Sequence, residues 1–173
     1  MIRVLGIDPG SVKTGYGIID TDGIRCFHVA HGHINVAGDD LPEKLGYIYY
    51  RISELIDEWQ PHEAGVEQVF VSHNAMSALK LGQARGAAIT SLVQYGVKVA
   101  EYTPTQVKQS VVGTGAAKKE QVQHMIRALL GITDKVQADA ADALAVAICH
   151  GHSRNGLHLK KAALGRGRRS RRR

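Results

Sequence analysis

Four carboxylates stand where an acid is unexpected. Asp8 ends the apolar run from Ile2 to Ile7, and Glu67 interrupts a second run between Val66 and Val69. Asp139 and Asp142 lie three residues apart in an alanine-rich stretch, so a helix there turns both to one side. Plain structural explanations exist for two of them: Asp8 can start an Asx-turn in Asp8-Pro9-Gly10-Ser11, and Asp139 suits a helix start and its macrodipole. Asp142 lies a turn further in, next to Leu144 and Ala145, where a cap does not reach. Glu67 without a cation or donor would be costly between two valines. Crowded carboxylates raise each other's pKa, and a hard cation such as Mg²⁺ takes oxygen ligands and relieves that repulsion. Two such ions, roughly 3.5–4 Å apart, activate a water and stabilise the leaving oxygen of a phosphodiester.

The elements that must position these acids follow from local patterning. A strand is predicted over Ile2–Asp8, ended by strong turn chemistry, and two more over Thr14–Asp20 and Ile24–Ile34, joined by Thr21-Asp22-Gly23 as an antiparallel meander. Leu41, Leu45, Ile48, Ile52, Leu55, Ile56 and Trp59 recur at helical spacing, and Pro61 closes that helix. Ala64–Val71 reads as a buried strand, Ala75–Tyr95 as a long helix ended by Gly96, and Val97–Tyr102 as a fifth strand. Helices follow from Thr103-Pro104, over Ala116–Leu130, and from about Ala138 to His150. The order β-β-β-α-β-α-β-α-α-α describes an α/β fold, a five-stranded mixed sheet flanked by helices. Ala78, Gly82 and Gly86 make a smooth face on the long helix, suited to packing on the protein's own sheet or to a dimer contact.

The chain has 173 residues, one domain's worth, which excludes two-lobed ATPases. Aromatic residues are only 5% of it, too few for a single-strand stacking platform. The net charge of +6 belongs to the end of the chain: from Gly151 onward there are seven Arg, two Lys and no acid, whereas residues 1–150 carry 13 basic and 16 acidic groups. We therefore expect a body over 1–152 and a basic, disordered tail over 153–173, with a polyanion as partner. Cys26 and Cys149 are isolated, the N-terminus lacks a signal-peptide layout, and no apolar run approaches the roughly 18 residues of a membrane span. The expected compartment is the cytoplasm, without membrane association.

Four boxes occur in order: Gly6-Ile7-Asp8-Pro9-Gly10-Ser11 with Thr14-Gly15-Tyr16-Gly17, Glu67-Gln68-Val69-Phe70, Ala78-Leu79-Lys80-Leu81-Gly82-Gln83-Ala84-Arg85-Gly86, and Asp139-Ala140-Ala141-Asp142-Ala143-Leu144-Ala145. Together they closely resemble the RuvC family of bacterial Holliday-junction resolvases, over about Met1 to His152. The first box alone is shared with actin-like ATPases and the YqgF family. The resemblance implies an RNase H-like fold, a homodimer, and Mg²⁺-dependent symmetric nicking of four-way DNA junctions that leaves 5′-phosphate and 3′-hydroxyl ends, alongside the RuvA–RuvB branch-migration complex. It implies two ions per site, with Mn²⁺ able to substitute, and catalytic acids at Asp8, Glu67, Asp139 and Asp142. It also implies an aromatic at the opened junction centre, on Phe70, and basic groups near the DNA backbone, on Lys108 and Lys119.

Physical reading of those further positions is compatible. Phe70 directly follows the Glu67 strand and suits a wedge in a base step as well as it suits a core. Lys118 and Lys119 open a helix where amides and lysines both meet phosphate, or else they are a solvated helix surface. His28, His31, His33, His150 and His152 lack the paired spacing of a zinc site and read as exposed strand and helix-end residues. Two rival functions remain: a YqgF-like nuclease of the same fold acting on RNA, and a non-catalytic nucleic-acid-binding protein that binds through its tail.

Overall fold

The structure, a computed structural model, describes residues 1–68 and 74–167, the last thirteen of these as backbone only. Phe70 and the end of the strand expected to reach Val71 lie outside the described residues. Five strands, β1 (Ile2–Asp8), β2 (Lys13–Thr21), β3 (Cys26–Asn35), β4 (Glu63–Glu67) and β5 (Lys98–Tyr102), form one sheet in the order β3-β2-β1-β4-β5. β2 runs antiparallel to both β1 and β3, while β4 runs parallel to both β1 and β5. β1 is central, which is why its middle, Val4-Leu5-Gly6-Ile7, is apolar on both faces instead of alternating. Val4 and Ile19 face one core, whereas Leu5, Ile7, Ile18 and Val66 face the other.

Helices α1 (Leu41–Trp59) and α2 (Ala75–Gln94) cover the second face, and α3 (Pro104–Val112), α4 (Lys119–Leu130) and α5 (Ala138–Gly167) the first. Asp40 caps α1 by accepting from the Glu43 N–H at 2.9 Å, and Ile48, Ile52, Leu55 and Ile56 are its buried stripe. Each such side chain contributes about 1.5–3 kcal/mol on burial. Thr103 opens α3 with a reciprocal capping box to Gln106, and Gly113 ends it in the left-handed conformation at φ 78°.

Besides shifts of a single residue, three boundaries differ from the sequence reading. β3 starts at Cys26, not Ile24, because Asp22 takes the amides of Ile24 and Arg25 and holds them in the turn. α4 starts at Lys119, not Ala116, since the Lys118 N–H is held by the Gln121 side chain at 2.9 Å. α5 runs to Gly167, past the helix end expected near His150. Contacts fix the course of α5 as far as Arg154: Arg154 Nε donates to Glu63 at 2.8 Å, and the His150 ring bridges Glu63 and the Tyr102 hydroxyl at 2.9 and 3.0 Å. Among the described residues no helix is long and apolar enough to cross a membrane.

Candidate active site

The site forms where β1 and β4 end. Asp8 is the last residue of β1 and Glu67 the last of β4, and the two strands are hydrogen-bonded neighbours, with Ile7 in register with Val66. The turn after Asp8 is closed by Thr14, whose fully buried hydroxyl accepts from the Gly10 N–H at 3.2 Å and donates to the Gly10 carbonyl at 3.0 Å.

The other two acids arrive on α5, which lies unusually close to the sheet because both surfaces are small. Ala140, Ala143 and Ala147 of α5 are buried against it. On the sheet side a Cβ at Gly15 would run into the Asp139 carbonyl, and one at Gly6 into Ala143 and Ala147. Gly15 is the register partner of Asp8, so the glycine that admits the start of α5 sets Asp139 beside the end of β1. Asp139 lies in the first turn, where the helix dipole favours an acid, and Asp142 follows one turn later.

The electrostatics show convergence. Asp8 is pushed up to about 8, first by burial and then by the charges of Glu67, Asp142 and Asp139 together with a hydrogen bond to Glu67. Burial and Asp142 raise Glu67 too, whereas its bond to Asp8 and the cations Lys119 and Lys108 pull it down. The Lys119 ammonium lies 2.7 Å from Asp142 Oδ2, and that hydrogen bond is the main cause of its raised pKa, opposed by desolvation and aided by Asp8 and Asp139.

Six of the eight residues singled out in the sequence thus meet at one end of the sheet: the four acids, Lys108 and Lys119. Lys118 is exposed at the start of α4. The sequence reading gave no role to Arg85, whose Nε donates to the Glu67 carbonyl at 3.2 Å. The available signal was one arginine in the otherwise uncharged, glycine- and alanine-rich segment Gly82-Gln83-Ala84-Arg85-Gly86-Ala87-Ala88.

The donor set fits a hard divalent cation, because every acid at the site offers oxygen and, among the described residues, the cations that act on Glu67 are Lys119 and Lys108. Among the described residues no three His, Cys, Asp or Glu side chains are already gathered as ligands of one ion. One has been turned to Lys119 instead, the nearest positive charge.

A five-stranded mixed sheet of this order, with carboxylates at the ends of its central strands and on a helix laid across it, defines an RNase H-like fold with a nuclease-type acidic site. Residues 4–150 match the family model described as "Crossover junction endodeoxyribonuclease RuvC". Relatives of that name from Chromohalobacter salexigens and Pseudomonas fluorescens are 54% and 51% identical, over 96% and 99% of this chain and 88% and 99% of theirs. The structure of Thermus thermophilus RuvC in complex with Holliday junction substrate superposes with a TM-score of 0.84 at 32% identity, covering 90% of this chain and 97% of that one. The chain belongs to the RuvC family of crossover junction endodeoxyribonucleases. Its activity is that of an endonuclease of Holliday junctions, and neither rival, the RNA nuclease nor the non-catalytic binder, is favoured.

Proposed function

We propose that the chain resolves four-way DNA junctions by two symmetric nicks, with Asp8, Glu67, Asp139 and Asp142 holding Mg²⁺, two ions per site, and Mn²⁺ able to replace it. The observation that carries this reading is the convergence of Glu67, Asp142 and Asp139 on Asp8, four carboxylates from three elements, whose burial and mutual repulsion push Asp8 up to about 8. When bound, such ions activate a water and stabilise the leaving oxygen of a phosphodiester. Water oxygen bonds to phosphorus as the bond to the 3′ oxygen breaks, leaving 5′-phosphate and 3′-hydroxyl ends. Asp8 must give up its proton to serve as a ligand, and Lys119 must release Asp142.

Lys108, Lys118 and Lys119 are the phosphate contacts of this reading, and Phe70 its aromatic at the junction centre. Two symmetric nicks require two similarly oriented sites, hence a homodimer. Its contact face is α2. Gly82 and Gly86 are exposed, and beyond the backbone of their own helix no described atom lies within 4 Å of where a side chain would begin, so packing on the chain's own sheet is not their role. Leu79 and Val93 extend the same stripe at 56% and 60% exposure. The RuvA–RuvB complex as partner and the cytoplasm as compartment complete the reading.

The test is a labelled synthetic four-way junction incubated with the parent and with Asp8→Asn, Glu67→Gln, Asp139→Asn and Asp142→Asn. Each variant should lose cleavage and keep junction binding, since the acids act on the reaction while lysines hold the polyanion. Mn²⁺ should support cutting, and Ca²⁺ should support binding with little cutting because its coordination is longer and looser. Unchanged cutting in excess chelator would remove the metal from the mechanism.

A further inference from the structure

We propose that Arg85 is a positioning residue for Glu67, locking the end of β4 in the place from which the Glu67 carboxylate meets Asp8. The inference rests on the reading of Glu67 as a metal ligand. Glu67 is where β4 stops, and α2, capped by Asn74, is the next element. The β5 ladder still holds the next residue, as the Gln68 N–H donates to the Tyr102 carbonyl at 2.8 Å. The Glu67 carbonyl is held from the other side, by Arg85 Nε on α2 at 3.2 Å.

The same guanidinium reaches a third element. Arg85 Nη2 lies 2.6 Å from Glu101 Oε2, and Glu101 on β5 is the register partner of Val66, the residue before Glu67. One planar group therefore ties α2, β4 and β5 together at the end of the sheet that carries the site. The Arg85 side chain is 21% exposed and Glu101 43%, so the pair itself adds little to folding. Its geometry assigns the use: Glu101 fixes the fork at one end, which leaves Nε aimed at the Glu67 carbonyl. Lysine cannot replace it, having one nitrogen and no fixed fork for two partners at different heights. Misplacement of a reacting or ligating group by about 1 Å costs on the order of 100-fold in rate, so a partial release of the β4 end is expected to register in turnover.

The experiment compares full-length parent, Arg85→Lys, Arg85→Gln and Glu101→Gln, with Glu67→Gln as the control for the underlying reading. It measures kcat and KM on a four-way junction, junction affinity in chelator, Mn²⁺ affinity without DNA by electron paramagnetic resonance, and thermal melting. Both Arg85 variants should lower kcat about tenfold or more, weaken Mn²⁺ binding severalfold, and leave junction affinity within about twofold. Glu101→Gln should move the same quantities less far.

Parent-like kcat and Mn²⁺ affinity in Arg85→Lys overturn the proposal, and so does a loss of turnover matched by an equal loss of junction binding. Should Arg85→Gln fold poorly, Arg85→Lys carries the test, and a defect that vanishes on cooling below its melting transition counts against positioning. The control separates the two levels. If Glu67→Gln cuts at the parent rate, the reading of Glu67 fails; if it is inactive while Arg85→Lys is normal, only the present inference fails.

Discussion

Lys119 Nζ sits 2.7 Å from Asp142 Oδ2, so a residue that opens α4 supplies the counter-charge to an acid on α5. The same cation lowers the pKa of Glu67 on β4. Removing it leaves the acids with less positive charge, and a carboxylate that loses a nearby cation protonates at higher pH. Lys119→Met should therefore shift the acid limb of the kcat/KM profile for junction cleavage upward, beyond any change in junction affinity. An unmoved limb would show that Lys119 acts on DNA alone.

Asp8 sets a pH dependence on stability that differs from that of most carboxylates. Its ordinary value of 3.8 is raised to about 8 in the folded chain. The folded state then binds the proton more tightly than the unfolded one, so stability from this group is full below about pH 4 and is lost as pH rises through 8. Asp8→Asn removes the penalty while keeping the shape. In chelator at pH 8 the variant should melt at least about 2–4 °C above the parent, the shift that roughly 1 kcal/mol produces in a chain of this length, and the gain should vanish at pH 4. Equal melting at both pH values would contradict the burial of a repelling acid cluster.

Gly15 admits the start of α5 to the sheet. Gly15→Ala places a methyl group against the Asp139 carbonyl, which is backbone and cannot rotate away. The expected cost is about 1–3 kcal/mol, as for overpacking generally, with Asp139 displaced from Asp8. Cleavage should fall further than the melting temperature predicts, because residual folded protein carries a distorted site. Parent-like turnover with parent-like melting would show that the helix has room to retreat.

The chain from Lys160 to Arg173 holds eight basic groups and no acid. If about half meet phosphates, truncation should make the slope of log K against log salt shallower by about 3–4 units for plain duplex. Discrimination in favour of junctions should increase, since backbone charge contacts carry no sequence or shape information. Equal slopes for full-length and truncated protein would mean that the tail does not touch DNA.

Much of this was legible in the linear chain for a local reason. Turn chemistry at Asp8-Pro9-Gly10, helical spacing from Leu41 to Trp59 and the Thr103-Pro104 cap are short-range signals, and each led to an element within a few residues of its observed bounds. The four acids stood out because desolvation makes a carboxylate in an apolar run anomalous wherever the chain later goes. What the sequence could not decide depends on partners distant along the chain. Only the strand order puts β1 beside β4, and only the register sets Gly15 opposite Asp8 and so admits Asp139. Strict alternation would send His28 and His31 to opposite faces of β3, yet an irregularity opposite Ile18 and Ile19 brings their ring nitrogens within 2.7 Å. Lys119 on Asp142 and Arg85 on Glu67 join residues 23 and 18 positions apart. Such pairings are settled by packing two cores against one twisted sheet, which no local pattern encodes.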